Sequence, residues 1–313
     1  MSLQRALELA ERGRSTTHPN PVVGAVVTRD GEIVGEGWHE RRGEPHAEIH
    51  ALRAAGPRAR GGTLYVTLEP CAHHGATPPC ADAVIAAGIA RVVIGALDPS
   101  ERGGGGAARL LAAGVDVEVD DLFEARRQNE AWRTWVTQNR PFVTLKVAVT
   151  LDGRVAVPGE RWVTGEESRR LVHELRAASD AVAVGMATVR ADAPRLDARN
   201  VEAVRQPRRL AFGRGPLPEG SELELRTGPL RDELGALAQE DVQSLLLEGG
   251  PTLAASFFAE ALVDKLLLFV APTIVGAGPR LFGELPEPLR LSRLAPRQIG
   301  PDVLLEAYVH EPL

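Results

Sequence analysis

Cysteine is almost missing from this 313-residue chain, which has only Cys71 and Cys80. That excludes a disulfide-stapled scaffold, which needs several pairs to stand in for a core. Lysine is as scarce, with Lys146 and Lys265 the sole examples against many arginines. The bias is a habit of composition, but it singles out Lys146. No apolar run is long enough to span a membrane. Met1-Ser2-Leu3-Gln4-Arg5 runs into an amphipathic helix instead of a signal peptide, so a cytoplasmic location is expected. An excess of positive charge is lacking too. The net charge of −6 argues against a nucleic-acid or membrane surface and leaves anionic ligands to local arginines. There is no internal repeat and no low-complexity tail. What remains, 44% hydrophobic and 25% charged residues, is an ordinary globular composition at a length that suits two domains.

Along the chain, periodicity predicts a helix over 2–13, strands over 22–28 and 33–38 around an Asp-Gly turn, and a helix from Pro45 to Ala55. A strand over 63–68, a helix opening at Cys80 and a strand over 91–96 follow. Gly103 to Gly106 reads as a flexible connection, then a helix over 107–113, a strand over 115–119 and one long helix over 121–138. Alternating strands and helices imply an α/β sandwich for this half. Asn139-Arg140-Pro141 is the predicted boundary, giving domains 1–140 and 141–313. Beyond it, strands are expected over 142–149, 181–185, 208–212, 244–248, 265–270 and 303–310. Helices are expected over 166–178 and 230–238, with another from Gly249-Gly250-Pro251-Thr252 to Ala261.

The chemistry concentrates in His46-Ala47-Glu48, Pro70-Cys71 and Pro79-Cys80. His46, Cys71 and Cys80 supply three zinc ligands and leave the fourth position for water, as a catalytic zinc site requires. A thiol at a helix start, as at Cys80, is biased toward thiolate. Glu48, two residues after the imidazole, is placed to take a proton from that water and pass it to a leaving amine. The competing readings are a disulfide, disfavoured by a reducing cytosol, and a surface carboxylate at a helix start. His50 lies four residues after His46, but zinc peptidases of that spacing carry the Glu directly after the first His. His73 and His74 remain alternative ligands, though substrate contact or loop structure suits them better. His-x-Glu with a later Pro-Cys matches the pattern of zinc nucleobase deaminases.

His46-Ala47-Glu48-Ile49-His50-Ala51-Leu52 with Thr67-Leu68-Glu69-Pro70-Cys71 resembles the cytidine deaminase superfamily. Eight residues separate the cysteines. That insert, with His18-Pro19-Asn20-Pro21 and Gly43-Glu44-Pro45-His46, resembles the bifunctional pyrimidine deaminase–reductases of bacterial riboflavin biosynthesis. The resemblance implies a cytidine-deaminase-like three-layer α/β/α domain followed by a dihydrofolate-reductase-like α/β domain. It implies hydrolytic deamination of a phosphorylated diaminopyrimidine with zinc, then reduction of its ribosyl group to ribityl by NADPH. By analogy, Asn20 contacts the pyrimidine. A small-molecule substrate and a homo-oligomer are expected, with no nucleic acid and no membrane.

The second half by itself shows only α/β with Gly249-Gly250 after a buried strand. Such a pair is more often a turn than a phosphate site, but here it opens a helix, where free N–H groups bind phosphate. The resemblance places Val149, Trp162, Thr188, Asp192 and the turn Gly250, Pro251, Thr252 and Leu253 on the cofactor. It places Glu160, Arg176, Leu196, Arg199 and Glu248 on the substrate, the arginines suiting a phosphate. Lys146 and Asp192 are implied to be the polar pair near the transferred hydride, against the reading of Lys146 as a solvated strand-end lysine. The sequence departs from the family at Glu160, usually Ser, and at Ala193 in Asp192-Ala193-Pro194. Ser100 stands where Asn is common, and Arg208 to Arg214 lacks the usual Asp-Ser. These departures leave open a deaminase whose second half only binds or oligomerises. A nucleobase or tRNA deaminase with an accessory domain is the other alternative.

Overall fold

The computed structural model describes residues 2–73, 78–282 and 287–312. The chain divides into two compact units, one ending at Gln138 and the other Asn139–Glu311.

The first unit runs α1 (Ser2–Glu11), β1 (Gly24–Arg29), β2 (Glu32–Trp38), α2 (Ala47–Ala55), β3 (Thr63–Val66), α3 (Cys80–Ala86), β4 (Arg91–Ile94), α4 (Gly106–Ala112), β5 (Asp116–Val119), α5 (Phe123–Gln128) and α6 (Glu130–Gln138). Its sheet has the order β2-β1-β3-β4-β5, with β1 antiparallel to its two neighbours and the rest parallel. The period-2 alternation of the strands divides them between two faces. Ala25, Val27, Leu64, Val66, Val92 and Ile94 pack against α2, α3 and α4. Val26 and Val93 pack with Leu3, Ala6 and Leu9 of α1 on the other face. The result is three layers.

Gly35 and Gly37 of β2 let α2 lie directly on the strand. A Cβ at Gly35 would stand 2.2 Å from the Ala51 carbonyl oxygen, and one at Gly37 would stand 2.6 Å from that of Ala47. Ala47, Ala51 and Ala55 give the helix the matching smooth face. This contact sets the height of His46 and Glu48 above the sheet.

The second unit runs β6 (Phe142–Thr150), α7 (Glu166–Ala178), β7 (Ala181–Gly185), α8 (Met186–Asp192), β8 (Arg208–Phe212), β9 (Glu224–Arg226), α9 (Leu230–Gln239), β10 (Ser244–Leu247), α10 (Pro251–Ala259), β11 (Lys265–Ala271), β12 (Ser292–Ile299) and β13 (Asp302–Tyr308). The sheet order is β12-β13-β11-β6-β10-β7-β8-β9. The strands from β11 to β9 pair parallel, while β13 and β12 are antiparallel. Val143, Leu145, Val147 and Val149 face Leu234, Leu237 and Phe257 of α9 and α10. By alternation, Lys146 and Ala148 point to the opposite face, where α7 packs through Val172.

Several expectations need correction. The helix over 121–138 is two helices, because Asn129 leaves the helix to bond both backbone groups of Val22, each at 2.9 Å. Strands β9 and β12 escaped the sequence reading. Pro296 sits inside β12, which is tolerated only because that strand lies at the sheet edge. Helix α8 follows β7 with no intervening loop to announce it. The run Gly103 to Gly106 is tied down by hydrogen bonds to Ser100 and Glu69 instead of hanging free.

Candidate active sites

His46 is the N-cap of α2 and Cys80 the first residue of α3, so two helix starts deliver ligands to one point. Cys71 arrives from the loop after β3. His46 Nδ1 lies 3.2 Å from Cys80 Sγ and 3.8 Å from Cys71 Sγ. The Cys80 amide donates to Cys71 Sγ at 3.4 Å. The three ligand atoms all fall within 4.8 Å of one another.

The electrostatics fit a bound dication. The Cys71 thiol is held down at about 4 by the Cys80 thiol beside it and, against the opposing effect of burial, by His46. Cys80 is pushed up by the Cys71 sulfur, by burial and by Glu48. Two sulfurs this close ionise together when a cation lies between them. One imidazole and two thiols are a zinc donor set with a position to spare. Glu48 is buried beside Cys80, and its Oε2 has no hydrogen-bond partner. Burial pushes its carboxyl above the usual range, against the pull of His46.

Asn20 does not touch the sulfurs. Its Nδ2 donates to His39 Nε2 at 3.2 Å, which leaves His39 Nδ1–H to donate to the Pro45 carbonyl at 3.2 Å. The His39 ring stands edge-on to that of His46 with centroids 5.3 Å apart. Burial holds the His39 pKa down, which suits this neutral form. Nothing in the sequence pattern marked His39. Among the described residues, the ligand cluster comprises His46, Cys71 and Cys80 and neither His50 nor His73. His74 lies outside the described residues.

In the second unit a cavity of about 870 Å³ opens over the α7 face of the sheet. Lys146, Trp162, Arg176, Thr188, Asp192, Arg199, Glu248, Gly250 and Pro251 all line it. Arg176 holds Glu248 bidentately, Nε to Oε1 at 2.6 Å and Nη2 to Oε2 at 2.9 Å. Lys146 Nζ stands 3.7 Å from the same carboxylate, so its recorded ion pair is with Glu248 and not Asp192. Burial would raise the Glu248 pKa, but Lys146 and Arg176 outweigh it and hold the group below its ordinary 4.5. Arg199 bonds Asp197 at 2.5 Å.

Gly250 caps α10 with no side chain in the way, Pro251 occupies its first turn, and both line the cavity. Leu253 packs onto Gly249 and Gly185. Val149 and Leu196 have their side chains in the core, 4% and 2% exposed. Glu160 and Thr252 do not line the cavity, and Glu160 sits in an exposed turn. Sequence reasoning missed Arg161 and Arg169, which flank the Trp162 ring at 5.0 and 5.5 Å. Arg161 adjoins Trp162 in the sequence, whereas Arg169 reaches the ring from the first turn of α7.

Comparison with known proteins bears on both units. Residues 1–96 match the cytidine and deoxycytidylate deaminase zinc-binding region, and residues 141–305 match the RibD C-terminal domain. The riboflavin biosynthesis protein RibD of Escherichia coli (strain K12) is 41% identical over 357 aligned residues, covering 97% of each chain. That of Aquifex aeolicus (strain VF5) is 39% identical over 97% of this chain and 96% of its own. Acinetobacter baumannii RibD superposes with a TM-score of 0.86 at 36% identity, over 98% of this chain and 97% of that one. The Thermotoga maritima diaminohydroxyphosphoribosylaminopyrimidine deaminase/5-amino-6-(5-phosphoribosylamino)uracil reductase gives 0.83 at 34%, with the same coverage.

A zinc deaminase joined to a pyrimidine reductase is a bifunctional enzyme of small-molecule metabolism. This chain belongs to the RibD family of riboflavin biosynthesis. It deaminates the phosphoribosylated diaminopyrimidinone with zinc and reduces the ribosyl side chain with NADPH. No helix among the described residues is long and apolar enough to cross a membrane.

Proposed function

We propose that His46, Cys71 and Cys80 hold the zinc and that Glu48 is the proton carrier of the deamination. Zinc, when bound, supplies the Lewis acidity that makes water nucleophilic at neutral pH. Glu48 accepts the proton of the attacking water and delivers it to the departing ammonia. Burial raises its proton affinity, which suits it to accept the water's proton in the first half of that cycle and carry it to the leaving amine. Asn20, held by His39, orients the pyrimidine. The observation that carries this reading is the Glu48 carboxylate itself, buried with Oε2 unpartnered next to the three-ligand cluster.

In the second unit, Arg176 and Arg199 take the substrate phosphate, and the start of α10 takes the phosphates of NADPH. Trp162, Thr188 and Asp192 flank the cofactor. Lys146, drawn to Glu248, lies at the cavity floor where it can polarise the sugar. NADPH supplies the hydride. The working domains are 1–140 and 141–313, the location is the cytosol, and the assembly is a homo-oligomer. Product analysis tests the reading. Given the phosphorylated diaminopyrimidine, the protein should release ammonia without NADPH and form the ribityl product only with it. Ammonia release that never leads to NADPH consumption would leave the second unit a binding module.

A further inference from the structure

Glu69 is a buried carboxylate that the proposed chemistry does not use. It is 7% exposed and stands two residues before the ligand Cys71. Its three recorded partners are all backbone N–H groups. Oε2 accepts from Asp98 at 3.1 Å, and Oε1 accepts from Gly105 at 3.1 Å and Ala107 at 2.8 Å. Its own amide donates to the Ala96 carbonyl at 2.9 Å. The side chain therefore ties the end of the β3 segment to the loop after β4 and to the start of α4.

A second contact reinforces the first. Gly106 presses on the residue between Glu69 and Cys71, and a Cβ there would come 1.7 Å from the Pro70 carbonyl oxygen. Beyond Cys71, its carbonyl accepts from the Ala81 amide at 3.2 Å and its sulfur from the Cys80 amide. The backbone bearing Cys71 is thus gripped on both sides, by Glu69 and Gly106 before it and by α3 after it.

Resting on the zinc-deaminase reading, we infer that Glu69 is a positioning residue for the metal. It holds the Cys71 sulfur at the distance from His46 and Cys80 that three-point ligation needs, without touching substrate or reacting atoms. Such groups behind a ligand typically change metal affinity by roughly 10–100-fold when altered. Glu69→Gln keeps the shape but turns one acceptor into a donor facing N–H groups.

The test uses the full-length zinc-loaded protein and follows zinc release to a chromogenic chelator. Glu69→Gln should release zinc about 10–100 times faster than wild type. Excess zinc should restore kcat for deamination, with KM unchanged, which a collapsed unit would not allow. NADPH oxidation on the already deaminated substrate should match wild type, showing the second unit untouched, and a cooperative thermal melt of the first unit serves as the folding control. Release within about twofold of wild type overturns the inference. So does a folded variant whose deamination stays low at saturating zinc. If Glu69→Gln does not fold, Glu69→Asp keeps the charge on a shorter arm. It should then show an intermediate release rate, and an unchanged one counts against the proposal. A wild type that binds no zinc would instead remove the deaminase reading beneath it.

Discussion

Glu48 and Glu248 are both buried carboxylates, and their surroundings drive them in opposite directions. Glu48 has an unpartnered oxygen, and burial pushes it up. Glu248 sits under two cations that hold it down against burial. The first arrangement suits a group that exchanges protons, and the second a fixed negative anchor. Glu48→Gln should keep its zinc while deamination falls by about 10²–10⁴. Metal analysis beside ammonia release checks both halves of that statement. Cys71→Ser and Cys80→Ser should lose the metal, and full zinc in both variants would end the ligand assignment. For Glu248 the sign follows from its lowered pKa. A group depressed on folding contributes stability that is complete above its ordinary 4.5 and is lost as pH falls through the lower folded value. Glu248→Gln should therefore cost about 3–5 kcal/mol at neutral pH by leaving Arg176 and Lys146 without their anion. Thermal melts of both proteins should differ by a constant amount above pH 5 and converge in stronger acid.

At the level of elements, the end of α8 carries a residue in a strained backbone conformation. Ala193 adopts a left-handed conformation, φ 40 and ψ 57, just after the cavity-lining Asp192. Alanine is costly there, while Asn visits that region readily. Ala193→Asn should stabilise the protein by about 0.5–1 kcal/mol, read as a higher denaturant midpoint. Elements with a clean period were legible from the sequence. The apolar stripe of α1 says which of its faces is inward, and the unbroken apolar run of β1 marks a strand buried on both faces. The break at Asn129 was not legible, since its cause is Val22, over a hundred residues away. Nor was β12, whose exposed residues and Pro296 carry no strand period. The glycines at 103–106 looked flexible because one of their anchors, the Glu69 carboxylate on the Gly105 and Ala107 amides, lies far back in the chain. The zinc ligands were legible as short motifs whose chemistry is written in residue type. The supports behind them, His39 and Glu69, were not, because a hydrogen bond to a backbone atom leaves no spacing rule. The same holds for Arg161 and Arg169 around Trp162, which only three-dimensional stacking reveals.

Across the whole molecule, the candidate chemistry falls into two compact units. His46, Glu48, Cys71 and Cys80 belong to the first, and the cavity lined by Lys146, Asp192 and Glu248 to the second. Hydride transfer needs a positioned nicotinamide and a polarised sugar, and water activation needs a Lewis acid and a base. Neither set of residues serves the other reaction, so each step should survive loss of the other. Lys146→Ala or Asp192→Ala should deaminate normally and stall before reduction, leaving the deaminated ribosyl compound to accumulate. The most direct test gives Glu48→Gln either the diaminopyrimidine or the already deaminated pyrimidine and follows NADPH absorbance beside ammonia release. The account predicts ammonia release and NADPH loss both slowed by about 10²–10⁴ with the first, and NADPH oxidation at the wild-type rate with the second. A folded Glu48→Gln protein that reduces neither substrate would contradict it.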